Sequence, residues 1–257
     1  MHGYAAVNGL ELYYEIHGSG PPLILLHGNL STIEIDFAGI IPELARTRRV
    51  IAIEQQAHGH TADIDRPLRT EHWAEDTAAL LRHLDVERAD VLGYSSGSIV
   101  AFRLALAHPE LVRKLVLCSF AYHRGGAHAG LFDGIEELQP EHLAGTPYEQ
   151  AYATVAPRPQ DWPVLIEKIK DMDAVVEQWT PGDVENLGRP VLLIYGDSDV
   201  VRLEHAVELF RLVGGGVMGD MVGLPASRLA VLPGTTHVSL VQRGEWLAAM
   251  VDEFLTT

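Results

Sequence analysis

Short, unbroken apolar runs organise this chain, more than strict alternation does. "PLILLHG" (Pro22–Gly28), "RVIAIE" (Arg49–Glu54), "ADVLGYS" (Ala89–Ser95), "KLVLCS" (Lys114–Ser119), "PVLLIYGDSD" (Pro190–Asp199) and "SRLAVLPG" (Ser227–Gly234) are the main ones. Runs of this kind predict strands buried on both faces of a mostly parallel sheet. Helix-period patterns separate them, among them "RTEHWAEDTAALLRHLD" (Arg69–Asp85), "EHAVELFRLVG" (Glu204–Gly214) and the closing "GEWLAAMVDEFL". Alternation of strand and helix predicts a doubly wound α/β sheet. The beginning differs. "AAVNG" and "LELYYEIHG" surround Asn8-Gly9, a hairpin signal, so the sheet is expected to start antiparallel.

One interval breaks the rhythm. From Phe120 to Arg189 the chain is far longer than one crossover helix needs, and long interruptions of a compact domain are often functional. It contains the helical patterns "AHAGLFDGIEEL", "YEQAYATVA" and "DWPVLIEKIKDMDAVVEQW", broken by Pro and Gly. The expected division is a core of residues 1–119 and 190–257 with a helical lid over 120–189.

Composition narrows the partners. With 257 residues, 47% of them hydrophobic, the chain suits one large α/β domain carrying an insertion. A formal charge of −16 opposes nucleic acid and anionic membrane surfaces as partners. No uninterrupted apolar stretch is long enough to span a bilayer, and the first residues lack the basic start and apolar core of a signal peptide. The expectation is a cytoplasmic protein. The single cysteine, Cys118, cannot form an internal disulfide or a thiolate zinc site, and inside "KLVLCS" it reads as a small buried hydrophobe.

In open α/β sheets ligands bind beyond the carboxyl ends of the strands, so the polar residues that end each run carry the candidate chemistry. They are His27-Gly28-Asn29, Ser95, Asp197 or Asp199 and, after the last run, His237. In "VLGYSSGSIVAF", Ser95 stands between Gly93 and Gly97 where a strand gives way to a helix. A plain turn serine needs no glycine on both sides. A nucleophile does: the G-x-S-x-G elbow projects the serine oxygen above the sheet, and the glycines remove bulk where strand and helix pack closely. The hydroxyl also needs an adjacent base to take its proton. The following helix would aim its N-terminal amides at the reacting centre.

Other motifs read more plainly. His58-Gly59-His60 lacks the further ligands a metal site requires, and is expected to shape a strand-to-helix loop. "GGGVMGD" (Gly214–Asp220) follows a helix and ends without a Lys-Ser/Thr pair, so it is read as a surface connection and not a phosphate loop. In the insertion, Tyr122, Phe132, Tyr148, Tyr152, Trp162 and Trp179 are expected mostly to pack it onto the core, with one or two lining a pocket. His123, Arg124 and His128 place positive charge there, read as a solvated surface.

Taken together, "LILLHGN", "AHGHT", "GYSSG", "ALAHPELVRKLVL", "LLIYGDSDVV" and "LPGTTHVSLV", in this order, resemble the α/β-hydrolase superfamily over essentially the whole chain. The resemblance implies an α/β-hydrolase fold with a catalytic triad of Ser95, Asp199 and His237, and an oxyanion hole from the backbone N–H groups of Asn29 and Ser96. Asp197 is the alternative acid. It implies a serine hydrolase acting on a small carboxylic ester, thioester or lactone, with no cofactor and no metal. C–C bond hydrolysis, hydroxynitrile cleavage and perhydrolysis occur on the same scaffold, as do ligand-binding members without turnover. The chain departs from the family in "IEQQAHGHT", where Glu54, Gln55, Gln56 and Ala57 replace a loop usually rich in small residues and Asp.

Overall fold

The computed structural model describes residues 1–175 and 178–257. Its strands are β1 (His2–Val7), β2 (Leu10–His17), β3 (Pro22–Leu26), β4 (Arg49–Ile53), β5 (Ala89–Tyr94), β6 (Val112–Cys118), β7 (Val191–Ser198) and β8 (Arg228–Thr236). They form one sheet in the order β1-β2-β4-β3-β5-β6-β7-β8. Only β1–β2 and β2–β4 pair antiparallel; every later pair is parallel. The expected hairpin is there: Val7 pairs with Leu10, and Asn8 and Gly9 turn the chain at φ 50° and 85°.

The reason for unbroken apolar runs is visible in β3. Leu23 and Leu25 enter one core cluster and Ile24 and Leu26 the other, on opposite faces of the sheet, and all four are fully buried. Each such side chain contributes roughly 1.5–3 kcal/mol relative to exposure. Helices α1 (Ile33–Phe37) and α2 (Ile41–Leu44) cover one face, joined there by the chain's last helix. On the other face lie α3 (Thr70–His83) and α4 (Ser96–Ala107), whose Trp73, Ala74, Leu80, Val100, Phe102 and Leu104 are buried.

Between β6 and β7 the chain forms α5 (Leu131–Glu136), α6 (Pro147–Val155), α7 (Trp162–Ala174) and α8 (Pro181–Glu185). The helix expected over 161–179 is shorter than its pattern. It closes at Ala174; Val176 and Glu177 lie outside the described residues, and Pro181 begins a new helix capped by Thr180. The remaining helices are α9 (Leu203–Leu212), α10 (Gly219–Val222), α11 (His237–Leu240) and α12 (Gly244–Thr256). "GGGVMGD" therefore runs into one short helical turn and is not wholly a loop. No described helix is long and apolar enough to cross a membrane. Cys118 is buried at the end of β6, as its apolar surroundings predict.

Candidate active site

Ser95 occupies the turn between β5 and α4 at φ 55° and ψ −124°, a conformation that L-residues adopt only under constraint. The constraint is local. Ser95 N–H donates to Cys118 O at 3.0 Å, and Ser98 N–H closes the first helical turn onto Ser95 O at 2.9 Å. A Cβ on Gly93 would collide with the Gly97 carbonyl, and one on Gly97 with the backbone of Leu26 and His27. Both glycines are needed for room, because β5, α4 and the end of β3 converge here.

Ser95 Oγ lies 3.0 Å from His237 Nε2, and His237 Nδ1 lies 3.0 Å from Asp199 Oδ1. His237 opens α11, whose N-cap Thr236 forms a capping box with Ser239. Its ring stacks on Tyr94 at 5.1 Å, and the Tyr94 hydroxyl donates to the His237 carbonyl at 2.9 Å. Asp199 follows β7 with a fully buried side chain. Burial pushes its carboxyl up, but hydrogen bonds from His237, Ser119 Oγ and Gly196 N–H outweigh it and hold Asp199 below the ordinary carboxylate range. An ionised Asp199 accepts a hydrogen bond from His237 Nδ1–H and so keeps the proton on that nitrogen, which leaves Nε2 free to accept from the Ser95 hydroxyl.

Asp197 is placed elsewhere. Its carboxylate accepts Gly234 N–H at 2.8 Å and Thr235 N–H at 3.1 Å, tying β7 to β8 at the exposed edge. Of the two aspartates, the one facing His237 is Asp199. Ser119 was missed as a site residue, although it ends the run "KLVLCS" as Ser95 ends its own; its hydroxyl donates to Asp199 Oδ2 at 2.6 Å.

The loop after β3 is held amide by amide. His27 Nε2 accepts Gln55 N–H, Asp36 Oδ2 accepts Gly28 N–H at 2.8 Å, and His58 Nε2 accepts Leu30 N–H at 3.0 Å. Asn29 lies between these two tethered neighbours and lines the cavity in front of Ser95. Across from it, Ser96 is the first residue of α4, where helical geometry leaves a backbone N–H without an intrahelical acceptor. His58 also donates from Nδ1 to Gln56 O at 2.9 Å, so both its ring nitrogens serve the loop and neither is offered to a metal. Glu54 fills the departure from the family pattern: it is buried and binds both His60 N–H and His60 Nδ1.

The cavity measures about 260 Å³ and is mostly apolar, with Leu30, Ile99, Phe132, Ile135, Tyr148 and Val200 on its walls. Phe132 and Tyr148 are the insertion aromatics that reach it. Tyr152 and Trp162 pack on each other, Trp179 on Phe102, and Tyr122 on His205. His123 and Arg124 also line the cavity, a role not read from their exposed-looking context. Two carboxyls stand in the same wall. Burial pushes Asp36 up to about 6 and Asp173 up to about 7.

A second cluster, His123, His205 and Glu208, has ligand atoms within 4.8 Å of one another. His205 Nε2 accepts Tyr122 N–H at 3.3 Å, so the neutral ring carries its proton on Nδ1, the nitrogen that faces Glu208. No lone pair of His205 points into the cluster, and it does not suit a cation.

Comparison with known proteins bears on the fold and the family. The chain is 36% identical over 119 residues to the 2-hydroxymuconate semialdehyde hydrolase of Pseudomonas sp. strain CF600, a match spanning 44% of this chain and 41% of that protein. It is 25% identical over 261 residues to the serine hydrolase BPHL of Mus musculus, covering 97% of this chain and 84% of that one. In three dimensions it is similar to the meta-cleavage product hydrolase CumD of Pseudomonas fluorescens IP01. There the TM-score is 0.77 at 21% identity, over 100% of this chain and 97% of that one. The family model for the alpha/beta hydrolase fold matches residues 21–247. This chain belongs to the alpha/beta hydrolase fold family.

Proposed function

We propose that the protein is a serine hydrolase that cleaves a small carboxylic ester, thioester or lactone through an acyl-enzyme on Ser95. The observation that carries this reading is the continuous relay from Ser95 Oγ through His237 to the buried Asp199, each link 3.0 Å. In this reading His237 Nε2 takes the Ser95 proton as Oγ attacks the substrate carbonyl. Asp199 keeps the imidazole in the Nδ1–H tautomer and stabilises the imidazolium, without itself taking the proton. The oxyanion of the tetrahedral intermediate is received by the backbone N–H groups of Asn29 and Ser96, a contribution of about 3 kcal/mol per donor. Collapse breaks the bond to the alcohol or thiol, which leaves with the proton from His237. Water then attacks the acyl-enzyme by the same route and releases the acid. Residues 120–189 act as the lid that closes the cavity over Ser95 and sets its shape.

A fluorophosphonate probe tests the reading directly. Wild type should label and Ser95→Ala should not. Equal labelling of the two, or none of either, removes the proposal and favours a ligand-binding role. A second reading is hydrolysis of a carbon–carbon bond beside a carbonyl with the same three residues, favoured by the likeness to the two Pseudomonas hydrolases. A panel of short-chain esters run beside a vinylogous diketone separates them. Turnover of the diketone with no ester burst would reverse the order.

A further inference from the structure

Tyr94 stands immediately before the nucleophile, and its side chain meets two parts of the site that are far apart in sequence. One is the loop after β3. A Cβ built on Gly28 would come within 3.3 Å of the Tyr94 ring and 3.2 Å of Ser95 Cβ, so this glycine leaves the room that the ring fills. The other is His237. The two rings stack with centres 5.1 Å apart and planes 28° from parallel, and the Tyr94 hydroxyl donates to the His237 carbonyl at 2.9 Å. One side chain thus holds the base by its ring and by its backbone. Burial first, and the Asp36 carboxyl after it, push the phenol up, so the hydroxyl keeps its proton and stays a donor.

Such a ring contact is not indifferent to charge. When Ser95 gives its proton to His237 the imidazole becomes an imidazolium, and the negative face of an aromatic ring attracts a cation within about 6 Å. Tyr94 is only 5% exposed and the His237 side chain 20%, so little water screens that attraction. Two carboxyls also act on His237: Asp199 holds its Nδ1 edge at 3.0 Å, and Asp36 adds a weaker attraction. Neither occupies the ring face, which belongs to Tyr94. The imidazolium exists only while tetrahedral intermediates form and collapse. The contact is therefore stronger in the transition state than in the resting enzyme, the condition for raising kcat and not merely affinity.

We propose that Tyr94 is a positioning residue of the reaction, which fixes His237 between Ser95 and Asp199 and favours the imidazolium formed in each proton transfer. The proposal rests on the serine-hydrolase reading above and adds to it a side chain outside the triad. Tyr94 gives up no proton and makes no bond to the substrate.

The test measures kcat and KM for p-nitrophenyl butyrate, and the rate of fluorophosphonate labelling, in wild type, Tyr94→Phe and Tyr94→Leu. Tyr94→Phe loses only the hydroxyl and should lose about threefold in kcat. Tyr94→Leu loses the ring face as well and should fall by about a further tenfold, with KM within about twofold in both. Labelling rates should fall in parallel, and they decide alone if this ester is not turned over. The acid limb of the kcat/KM profile should move to lower pH in Tyr94→Leu and stay in place in Tyr94→Phe, because only the former withdraws support from the protonated ring. Equal losses in the two variants, a loss carried by KM, or an unmoved limb in Tyr94→Leu would overturn the proposal. Should Tyr94→Leu not fold, phenylalanines of increasing ring fluorination at position 94 keep the shape while draining the face of negative charge. There kcat should fall stepwise, and a flat series overturns the proposal. Failure of the hydrolase reading looks different: wild type turns over no ester and labels no better than Ser95→Ala, and the role of Tyr94 falls with it.

Discussion

His58 Nε2 accepts the backbone N–H of Leu30 at 3.0 Å, joining two loops 28 positions apart in sequence. Leu30 needs the tether, for its φ is 60°, a conformation costly for a leucine. With Asp36 on Gly28 N–H, the bond fixes the backbone on both sides of Asn29. His58→Ala should therefore loosen the proposed oxyanion donor without touching the triad. Because such a donor acts on charge that develops in the transition state, kcat should carry the loss, about tenfold or more, with KM little changed. Ester kinetics on the purified variant check this, and a pure KM effect would contradict it.

The same histidine makes the protein sensitive to acid. Burial lowers His27 to about 3 and His58 to about 4. A histidine whose folded value lies below its unfolded value of about 6.5 contributes stability above that pH and loses it as pH falls toward the folded value. Asp36 and Asp173 act in the opposite sense. Their folded values are raised, to about 6 for Asp36 and about 7 for Asp173, so folding gains stability as pH falls through those values toward the ordinary carboxylate range. Thermal unfolding from pH 7 to 4 separates the two groups. The gap in Tm between wild type and His58→Gln should narrow on acidification, and the gap by which Asp173→Asn exceeds wild type should narrow as well.

Ser119 and Asp197 should respond in opposite ways to substitution. Ser119→Ala removes a 2.6 Å hydrogen bond to the buried Asp199, of the charged class worth about 1.5–3 kcal/mol, and should lower kcat/KM by roughly tenfold. Asp197→Asn disturbs only the β7–β8 edge, so Tm should fall slightly while kcat/KM stays within about twofold, as surface changes usually do. A large activity loss in Asp197→Asn would reassign the acid.

Gly97→Ala should damage both fold and site. Its Cβ would meet the Leu26 and His27 carbonyls, and backbone does not give way as a side chain does. Overpacking of this kind costs about 1–3 kcal/mol or more, and here it also displaces the Ser95 elbow. Denaturant titration should show reduced stability, and fluorophosphonate labelling should weaken even in the fraction that folds.

Much of this protein is legible in one dimension. A strand covered on both faces has no solvent side, so its apolar residues run consecutively, and "LILL" and "VLLI" announce the central sheet. Gly93, Ser95 and Gly97 are near neighbours whose spacing alone describes a sharp turn, and chain order places an acid and a histidine after later strands. Contacts between distant segments leave no such mark. Nothing local separates Asp199 from Asp197, two positions apart; only the β7–β8 edge, which takes one carboxylate for its amides, leaves the other to face His237. The histidine tether on Leu30, the Ser119 hydroxyl on Asp199 and the meeting of Asp173 with Asn29 across 144 positions follow the same rule. Periodicity and local turn chemistry are properties of neighbouring residues and can be read from the string, whereas which polar groups meet and which stay unmet is decided when the sheet and the helices above it close on one another.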